Sequence, residues 1–325
     1  MKLRRTLLAL VLLCFCATGW TQGWSPQRNV EIVVGYAPGG GVDRTARTLE
    51  RIVVANKLVS TSIAVVNKPG GNTNIAYAYV SQRPGDAHTL MVFGQTIMTN
   101  HITGASPLHH SDFTPIASLF SEYHVYVVSA NTPVRTGKDL LQRLKNDVRL
   151  VTTGVSAIGS PGHISAGLLN KAIGGSAKDL KIIAFKGSAE ALTNVLGGHI
   201  ELTPAPASLA APHITSAQIR AVAVAAPKRL GGAFAAIPTW KEQGVDLVYG
   251  PWRAILAPKG LSAAQIAYWE NVLRKATESA EWKSDVEKIL AVDDFVTGLQ
   301  FRKDLEKEYA DTKTLLGDLG MAKSP

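Results

Sequence analysis

The stretch "VEIVVGYAPGGGVDRTARTLE" constrains the fold most, because it predicts a buried strand, a glycine-rich loop and a helix in direct succession. Val30 to Val34 form a continuous apolar run, as strands buried on both faces do. Ala46, Leu49 and Val53 then recur at helical spacing. Short apolar runs, turn residues and amphipathic segments go on alternating through the middle of the chain. This alternation predicts an α/β fold with mostly parallel sheets.

The C-terminal segments differ from the rest of the chain. "SAAQIAYWENVLRKA", "AEWKSDVEKIL" and "FRKDLEKEYADTKTLL" predict three amphipathic helices without intervening strands. Ser262 with Gln265, and Thr297 with Gln300, have the spacing of capping boxes at two of the helix starts. We expect these helices to pack on the outside of a lobe.

The first residues have the pattern of a secretory signal peptide. A basic start is followed by an apolar run from Leu7 to Cys16 and by a small, polar exit. A membrane anchor is the alternative, but the run is shorter than the ~20 apolar residues that a span needs. We therefore predict a signal peptide over residues 1–22, cleaved between residues 17 and 23, and an exported, periplasmic protein.

Cysteine and charge narrow the chemistry of the mature chain. Cys14 and Cys16 are the only cysteines, and both lie in the predicted signal peptide, so no disulfide or thiol chemistry is expected after cleavage. The chain has 34 basic and 25 acidic residues, a formal net charge of +9. Because the basic residues are scattered and not interleaved with aromatic residues, an anionic small ligand fits better than nucleic acid.

Five glycine- or hydroxyl-containing segments follow predicted strands and precede predicted helices: "GYAPGGGVD", "NKPGGN", "FGQT", "GVSAIGSPGH" and "FKGS". Ligands of open α/β sheets bind beyond the carboxyl ends of the strands, where helix N-termini present free N–H groups to anions. Glycine permits close approach of the backbone, and Thr96, Ser160 and Ser188 could add hydroxyl donors. The pattern predicts an anion site built mostly from backbone amides.

Signatures of catalysis are missing from the sequence. The glycine triplet does not match the dinucleotide fingerprint, and there is no Gly-Lys-Ser/Thr, Gly-x-Ser-x-Gly or His-Glu-x-x-His. His109 and His110 precede Asp112, but adjacent histidines in such a loop are more often simply exposed. We therefore expect no enzyme activity, no cofactor and no metal.

Several segments together resemble one protein family. "GYAPGGGVDRTAR", "VVNKPGGN", "GDAHTLMV", "DFTPIASL", "FKGSAEALTNVLGGHIEL" and "PWRAILAPKGL" occur in the order typical of the tripartite tricarboxylate transporter receptors. This family, also called Bug or TctC, comprises periplasmic solute-binding proteins. The resemblance covers nearly the whole mature chain. "TNHITGASPL" and "WRAILAPKGL" are similar to its tricarboxylate-binding branch.

The resemblance implies the type II periplasmic binding protein fold, an α/β fold with two α/β lobes joined by two crossover strands and a ligand cleft between them. Lobe 1 would comprise residues 24–124 and 249–325, and lobe 2 residues 125–248. The crossovers would lie near residues 122–128 and 245–256.

The resemblance also implies that a carboxylate is held between the lobes, largely by the backbone of the Pro-Gly-Gly loop. The candidate ligand-binding residues are Tyr36, Pro38, Gly39, Gly40, Gly41, Asp43, Asn72, Gln95, Thr96, Gly159, Ser160, His163, Lys186, Gly187, Ser188 and Arg253. The chain departs from the family at Gly41, where Ser or Thr is common, at Phe185, where Tyr is common, and at Arg253, where Gly is common. Arg253 is either a clamp for a second carboxylate or a surface residue of the crossover.

Three functional hypotheses follow. The first is a monomeric receptor that captures a di- or tricarboxylate, citrate-like, by hinge closure and delivers it to a tripartite tricarboxylate membrane permease. In the second, the same protein presents its ligand to a sensor protein. The third is an α/β enzyme, which would need His163 or a similar group as its base. No nucleic-acid partner is expected.

Overall fold

The computed structural model describes residues 23–318 and 320–323, so the predicted signal peptide lies outside the described residues. The chain forms two β-sheets. The first has the strand order β2-β1-β3-β10-β4-β11 and the second β7-β6-β8-β5-β9. The strands are β1 (Val30–Val34), β2 (Ile63–Asn67), β3 (Thr89–Phe93), β4 (Phe113–Ser121), β5 (His124–Ser129), β6 (Thr153–Val155), β7 (Ile182–Ala184), β8 (Leu202–Pro206), β9 (Ile219–Val224), β10 (Trp252–Pro258) and β11 (Val296–Thr297).

Ten α-helices cover the two sheets in the part of the chain that is described. They are α1 (Gly41–Ala55), α2 (Asn74–Ser81), α3 (Thr96–Ile102), α4 (Gly137–Asn146), α5 (Pro161–Ala172), α6 (Ser188–Leu196), α7 (Ala207–Thr215), α8 (Ala263–Glu278), α9 (Ala280–Lys288) and α10 (Gly298–Asp318). None of the described helices is long and apolar enough to cross a membrane.

Strand direction follows one rule in both sheets. β1 is parallel to β2 and β3, and β6 is parallel to β7 and β8. β10 is antiparallel to β3 and β4, and β5 is antiparallel to β8 and β9. In each sheet, the strand that enters from the other lobe, β10 or β5, is therefore antiparallel to both of its neighbours. The predicted α/β fold with two lobes and two crossovers is confirmed.

The chain passes from the first sheet to the second between Ser121 and His124, and returns between Val224 and Trp252. The predicted lobe boundaries at 124/125 and 248/249 stay a prediction, and both lie close to these changes of sheet. Below, lobe 1 denotes the first sheet with its helices, and lobe 2 the second.

Each lobe has its own apolar cores, one on either face of its sheet. In lobe 1, Leu49 of α1 packs with Trp269 of α8 and Trp282 of α9 on one face, while Phe301 of α10 packs on the other. The C-terminal helices therefore cover lobe 1, as the sequence predicts. The expectation of a tail without strands is wrong, because the two-residue strand β11 pairs with the edge of β4.

Candidate functional site

The carboxyl ends of the parallel strands in both sheets face each other across a cleft. The cleft encloses a cavity of about 40 Å³. Its lining residues are Tyr36, Gly40, Gly41, Val42, Gly94, Thr96, His124, Ser156, Pro161, Gly162, Ser188, Thr203, Pro204, Pro206 and Arg253. The site thus lies where an open α/β sheet places its ligands.

The glycine loop after β1 brings the start of α1 to the cavity. Gly39 has φ +90°, a conformation that L side chains rarely adopt. Gly40 is the N-cap residue of α1, and Gly41 and Val42 line the cavity. The first N–H groups of a helix have no intrahelical partner and carry about half a positive charge. This end of α1 can therefore hold an anion.

Asp43 supports this loop and does not line the cavity. Its carboxylate accepts hydrogen bonds from Gly39 N–H at 2.9 Å, Arg47 Nε at 3.0 Å and Asn67 Nδ2 at 2.8 Å. Burial by itself raises the pKa of Asp43, but these three donors outweigh it and hold that pKa below its ordinary value. That Asp43 binds the ligand stays a prediction, although both of its oxygens already accept hydrogen bonds from Gly39, Arg47 and Asn67.

Two hydroxyl groups of lobe 1 lie together in the cavity. The hydroxyl of Tyr36 is 2.8 Å from Oγ1 of Thr96, the first residue of α3. Burial raises the pKa of Tyr36, and the hydrogen bond to Thr96 and the charge of Arg253 oppose that shift. The tyrosine is therefore a neutral donor or acceptor for a ligand at ordinary pH.

Lobe 2 contributes two further helix starts. Pro161 and Gly162 begin α5, and Ser188 begins α6. A Cβ atom placed on Gly40 would come within 3.4 Å of Ser188 Oγ in the opposite lobe. The α1 and α6 N-termini therefore face each other at close range, and the lobes are closed.

Direct contacts between the lobes hold this closed arrangement. Ala37 N–H donates to the Lys186 carbonyl at 3.2 Å, and Asn72 Nδ2 donates to the Ile158 carbonyl at 3.0 Å. Lys186 thus contributes its backbone, while its side chain is exposed. Asn72 and Lys186 line the mouth of the cleft, not the enclosed cavity.

Other predicted residues shape loops near the cavity. His163 Nδ1 accepts a hydrogen bond from Gly159 N–H at 3.0 Å, so both groups are occupied within their own loop. Burial lowers the pKa of His163 to about 4, which keeps its ring neutral. Ser160 is fully buried, and its Oγ has no hydrogen-bond partner within the described chain.

The remaining predicted residues lie at the edge of the site. Gln95 is buried and bonds to Tyr249 and Glu308. Pro38 and Gly39 are exposed, and a Cβ on Gly187 would touch Tyr36 and Ala37 across the cleft at 3.8 to 3.9 Å. Of the sixteen candidates, the cavity itself brings together Tyr36, Gly40, Gly41, Thr96, Ser188 and Arg253.

The crossover strand β10 brings a buried guanidinium to the cavity. Arg253 is only 5% exposed, so the alternative of a surface arginine is wrong. Its Nη1 donates to the Trp252 carbonyl at 3.1 Å, and its Nη2 is 3.8 Å from Oε2 of Glu122. Its Nε has no hydrogen-bond partner among the described residues. A buried guanidinium with a free donor is suited to bind a carboxylate.

The other crossover strand, β5, brings a histidine that sequence reasoning missed. His124 is buried and lines the cavity beside Arg253. Burial, reinforced by the charge of Arg253, lowers the pKa of His124 to about 3, so the ring is neutral. Strand topology could have identified His124. The antiparallel crossover strands begin where the parallel strands end, so the first residues of β5 and of β10 lie at the cleft.

The fold and the site together define a class: a two-lobed substrate-binding protein whose cleft carries positive charge and helix N-termini. A family model described as "Tripartite tricarboxylate transporter family receptor" matches residues 46–314. The chain belongs to this family, as its sequence motifs predict. Members of the family are receptors and not enzymes, and so is this protein.

Three comparisons illustrate the relationship. The chain is 26% identical to protein BugT of Bordetella pertussis over 263 residues, 78% of each chain. The structure of the periplasmic binding protein BugD has a TM-score of 0.83 at 22% identity, covering 92% of this chain and 100% of that one. The structure of the R. palustris protein Rpa4515 with adipate has a TM-score of 0.83 at 26% identity, covering 91% of this chain and 99% of that one.

Proposed function

We propose that the protein is an exported periplasmic receptor that captures a small carboxylate between its lobes and delivers it to a tripartite tricarboxylate permease. The observation that carries this proposal is the buried Arg253 guanidinium, which faces the N-termini of α1, α5 and α6 across the cavity. All of these groups favour an anion, and a ligand touching both lobes stabilises the closed state.

The ligand that fits best is a dicarboxylate or tricarboxylate. One carboxylate would bind to the N–H groups at Gly41 and Ser188, and a second to Arg253. The relative Rpa4515, which was solved with adipate, supports this class. Of the two, the closed cavity of about 40 Å³ favours a dicarboxylate, because a bulkier citrate-sized ligand needs the lobes further apart than they are here.

Isothermal titration of the mature protein with acetate, succinate, adipate, malate and citrate tests the proposal. Arg253→Ala should weaken a dicarboxylate about tenfold or more and leave a monocarboxylate nearly unchanged. Arg229→Ala, on the exposed surface, is the matched control and should change the affinity for neither class of ligand. Equal losses for all ligands would contradict the Arg253 clamp, and the absence of carboxylate binding would contradict the function.

A further inference from the structure

Behind the cleft, the two lobes enclose a second cavity that the proposed function does not use. It has a volume of about 270 Å³, compared with about 40 Å³ for the cleft cavity. We call it the rear cavity; its walls come from α1, β4 and α9 of lobe 1 and from α7 of lobe 2. Gly41, Glu122 and Arg253 lie between the two cavities.

The floor of the rear cavity is apolar. Phe120, Trp282, Val286 and Ile289 line it on the side of lobe 1, and Ala211 lines it from lobe 2. Its volume lies just below the roughly 300 Å³ at which typical small-molecule sites begin. The rear cavity therefore suits one ring or a short branched chain.

The acidic groups of the rear cavity are already engaged by the protein. Oε1 of Glu122 accepts from the N–H of Ser208 at 3.0 Å and from its hydroxyl at 2.6 Å. Oδ2 of Asp285 accepts from Arg51 at 2.7 Å and from Thr48 Oγ1 at 3.4 Å. The second oxygen of each carboxylate already faces a basic group of the protein, at 3.8 Å from Arg253 Nη2 for Glu122 and at 3.7 Å from Lys288 Nζ for Asp285.

The basic groups of the rear cavity are less engaged. Arg44 donates one hydrogen bond to the Ser208 carbonyl at 2.8 Å and forms no ion pair within the described residues. The side chain of Lys288 is 71% exposed, and its Nζ is 3.7 Å from Oδ1 of Asp285. The rim of the rear cavity therefore offers positive charge to an anion.

We propose that the rear cavity is a second ligand site, for a small amphipathic monocarboxylate. Its apolar body would pack against Phe120 and Trp282, and its carboxylate would pair with Arg44. Because the walls come from both lobes, a ligand here favours the closed state. By linkage, it raises the affinity of the cleft for its own ligand, and the cleft ligand raises the affinity of the rear cavity equally.

Phenylacetate, titrated calorimetrically into the full mature protein, is the probe for this site. Ala211→Phe fills the rear cavity from lobe 2, and Thr48→Phe fills it from lobe 1. We expect each to weaken phenylacetate about tenfold or more, and 2-phenylethylamine, the cationic analogue, not to bind. Ala264→Phe, on an exposed position of α8, is the matched control and should leave the affinity within about twofold.

Other outcomes would overturn the proposal. The proposal is overturned if phenylacetate does not bind the wild-type protein at millimolar concentration. It is also overturned if both filling variants bind phenylacetate as tightly as the wild type does. The same holds if Arg253→Ala abolishes binding while the filling variants retain it, because the probe would then occupy the cleft. Melting curves of the two filling variants establish that each is folded before it is titrated. None of these outcomes depends on which ligand the cleft takes.

Discussion

At the scale of single residues, the two crossover strands supply basic side chains in opposite states. Arg253 is charged and buried, whereas burial, reinforced by the charge of Arg253, keeps its neighbour His124 neutral. One group can therefore pair with a carboxylate while the other offers a neutral donor or acceptor. The guanidinium of Arg253, which is 3.8 Å from the Glu122 carboxylate, therefore supplies the positive side chain of the cleft, and the helix N-termini add partial positive charges.

The neutral histidines predict a loss of stability in acid. The pKa of His124 is lowered from 6.5 to about 3, and that of His163 to about 4. Below pH 6.5 the unfolded chain takes up protons that the folded chain does not, so stability falls by up to about 1.4 kcal/mol per pH unit for each histidine. The loss ends near pH 3 to 4, where the folded state also protonates.

Urea unfolding of His124→Gln between pH 7 and pH 4 measures this effect, because this range begins above the ordinary histidine pKa of 6.5 and ends above the folded pKa of about 3. The variant should lose less stability across this range than the wild type. His199→Gln, at an exposed position, is the control and should follow the wild type. If the free energy of unfolding depended on pH in the same way for His124→Gln and the wild type, the neutral state of the His124 ring would be contradicted.

Gly40→Val tests the close approach of the lobes. The added methyl groups extend beyond a Cβ that would already lie 3.4 Å from Ser188 Oγ, so the lobes cannot close fully. We expect ligand binding to disappear and the melting temperature without ligand to change little, because Gly40 contacts the other lobe and not a core. Retained binding in calorimetry would show that closure does not need this contact.

At the scale of elements, the start of α1 is the part of the site that depends most on one side chain. Asp43 ties the glycine loop to the first turn of α1 and to the end of β2 through Asn67. Because the pKa of Asp43 is lowered in the folded protein, its stabilising effect is present above the unfolded pKa of about 3.9 and is lost as the pH falls through the folded value.

Asp43→Ala should therefore weaken ligand binding even though the residue does not line the cavity. We expect a loss of about 1–3 kcal/mol of stability and at least a tenfold loss of affinity. Asp139→Ala is the matched control, since Asp139 caps α4 with similar backbone bonds in a part of lobe 2 away from the cleft. Calorimetry should find its affinity unchanged; equal affinity losses in both variants would point to general destabilisation.

Elements with a regular apolar pattern could be predicted from the sequence, whereas two elements that contain proline could not. The capping box of Ser262 with Gln265 forms at the start of α8, as its spacing predicts. By contrast, α7 contains Pro212 and β4 contains Pro115, which sits next to a break in the register with β10. Proline disfavours both a helix and an inner strand because it lacks the backbone N–H, and only tertiary packing offsets the lost hydrogen bond.

The candidate site was predictable where it depends on helix starts. The glycine loop, Thr96 and Ser188 lie at the cavity because strand ends and helix N-termini converge there in any such fold. His124 was missed because its position depends on the direction of the crossover strand. That His163 binds the ligand stays a prediction, and the sequence does not reveal that its Nδ1 already accepts a hydrogen bond from Gly159.

At the scale of the whole molecule, closure is supported by contacts that exist without a ligand. Ser208 of α7 donates both its N–H and its hydroxyl to Glu122 at the first crossover. Arg44 of lobe 1 donates to the carbonyl of the same serine. The free energy of closure is therefore shared between protein contacts and the ligand.

Ser208→Ala should shift the unliganded protein toward the open state. Removing the 2.6 Å hydroxyl contact leaves an oxygen of buried Glu122 with one donor fewer. A smaller closed population lowers the apparent ligand affinity in proportion, and small-angle scattering should find a larger radius of gyration without ligand. Ser216→Ala, at the other end of α7, is the control; identical scattering of the two variants would contradict the role of Ser208.

The central position of β10 in the first sheet has a consequence for how the chain folds. Lobe 2 is built from consecutive strands between His124 and Val224, whereas β10 must insert between β3 and β4, more than a hundred residues earlier in the chain. Non-local pairing of this kind is slow because a long loop must be closed first. In refolding, we expect lobe 2 to gain protection from hydrogen exchange first, and lobe 1 to remain open at its centre until the second crossover has formed.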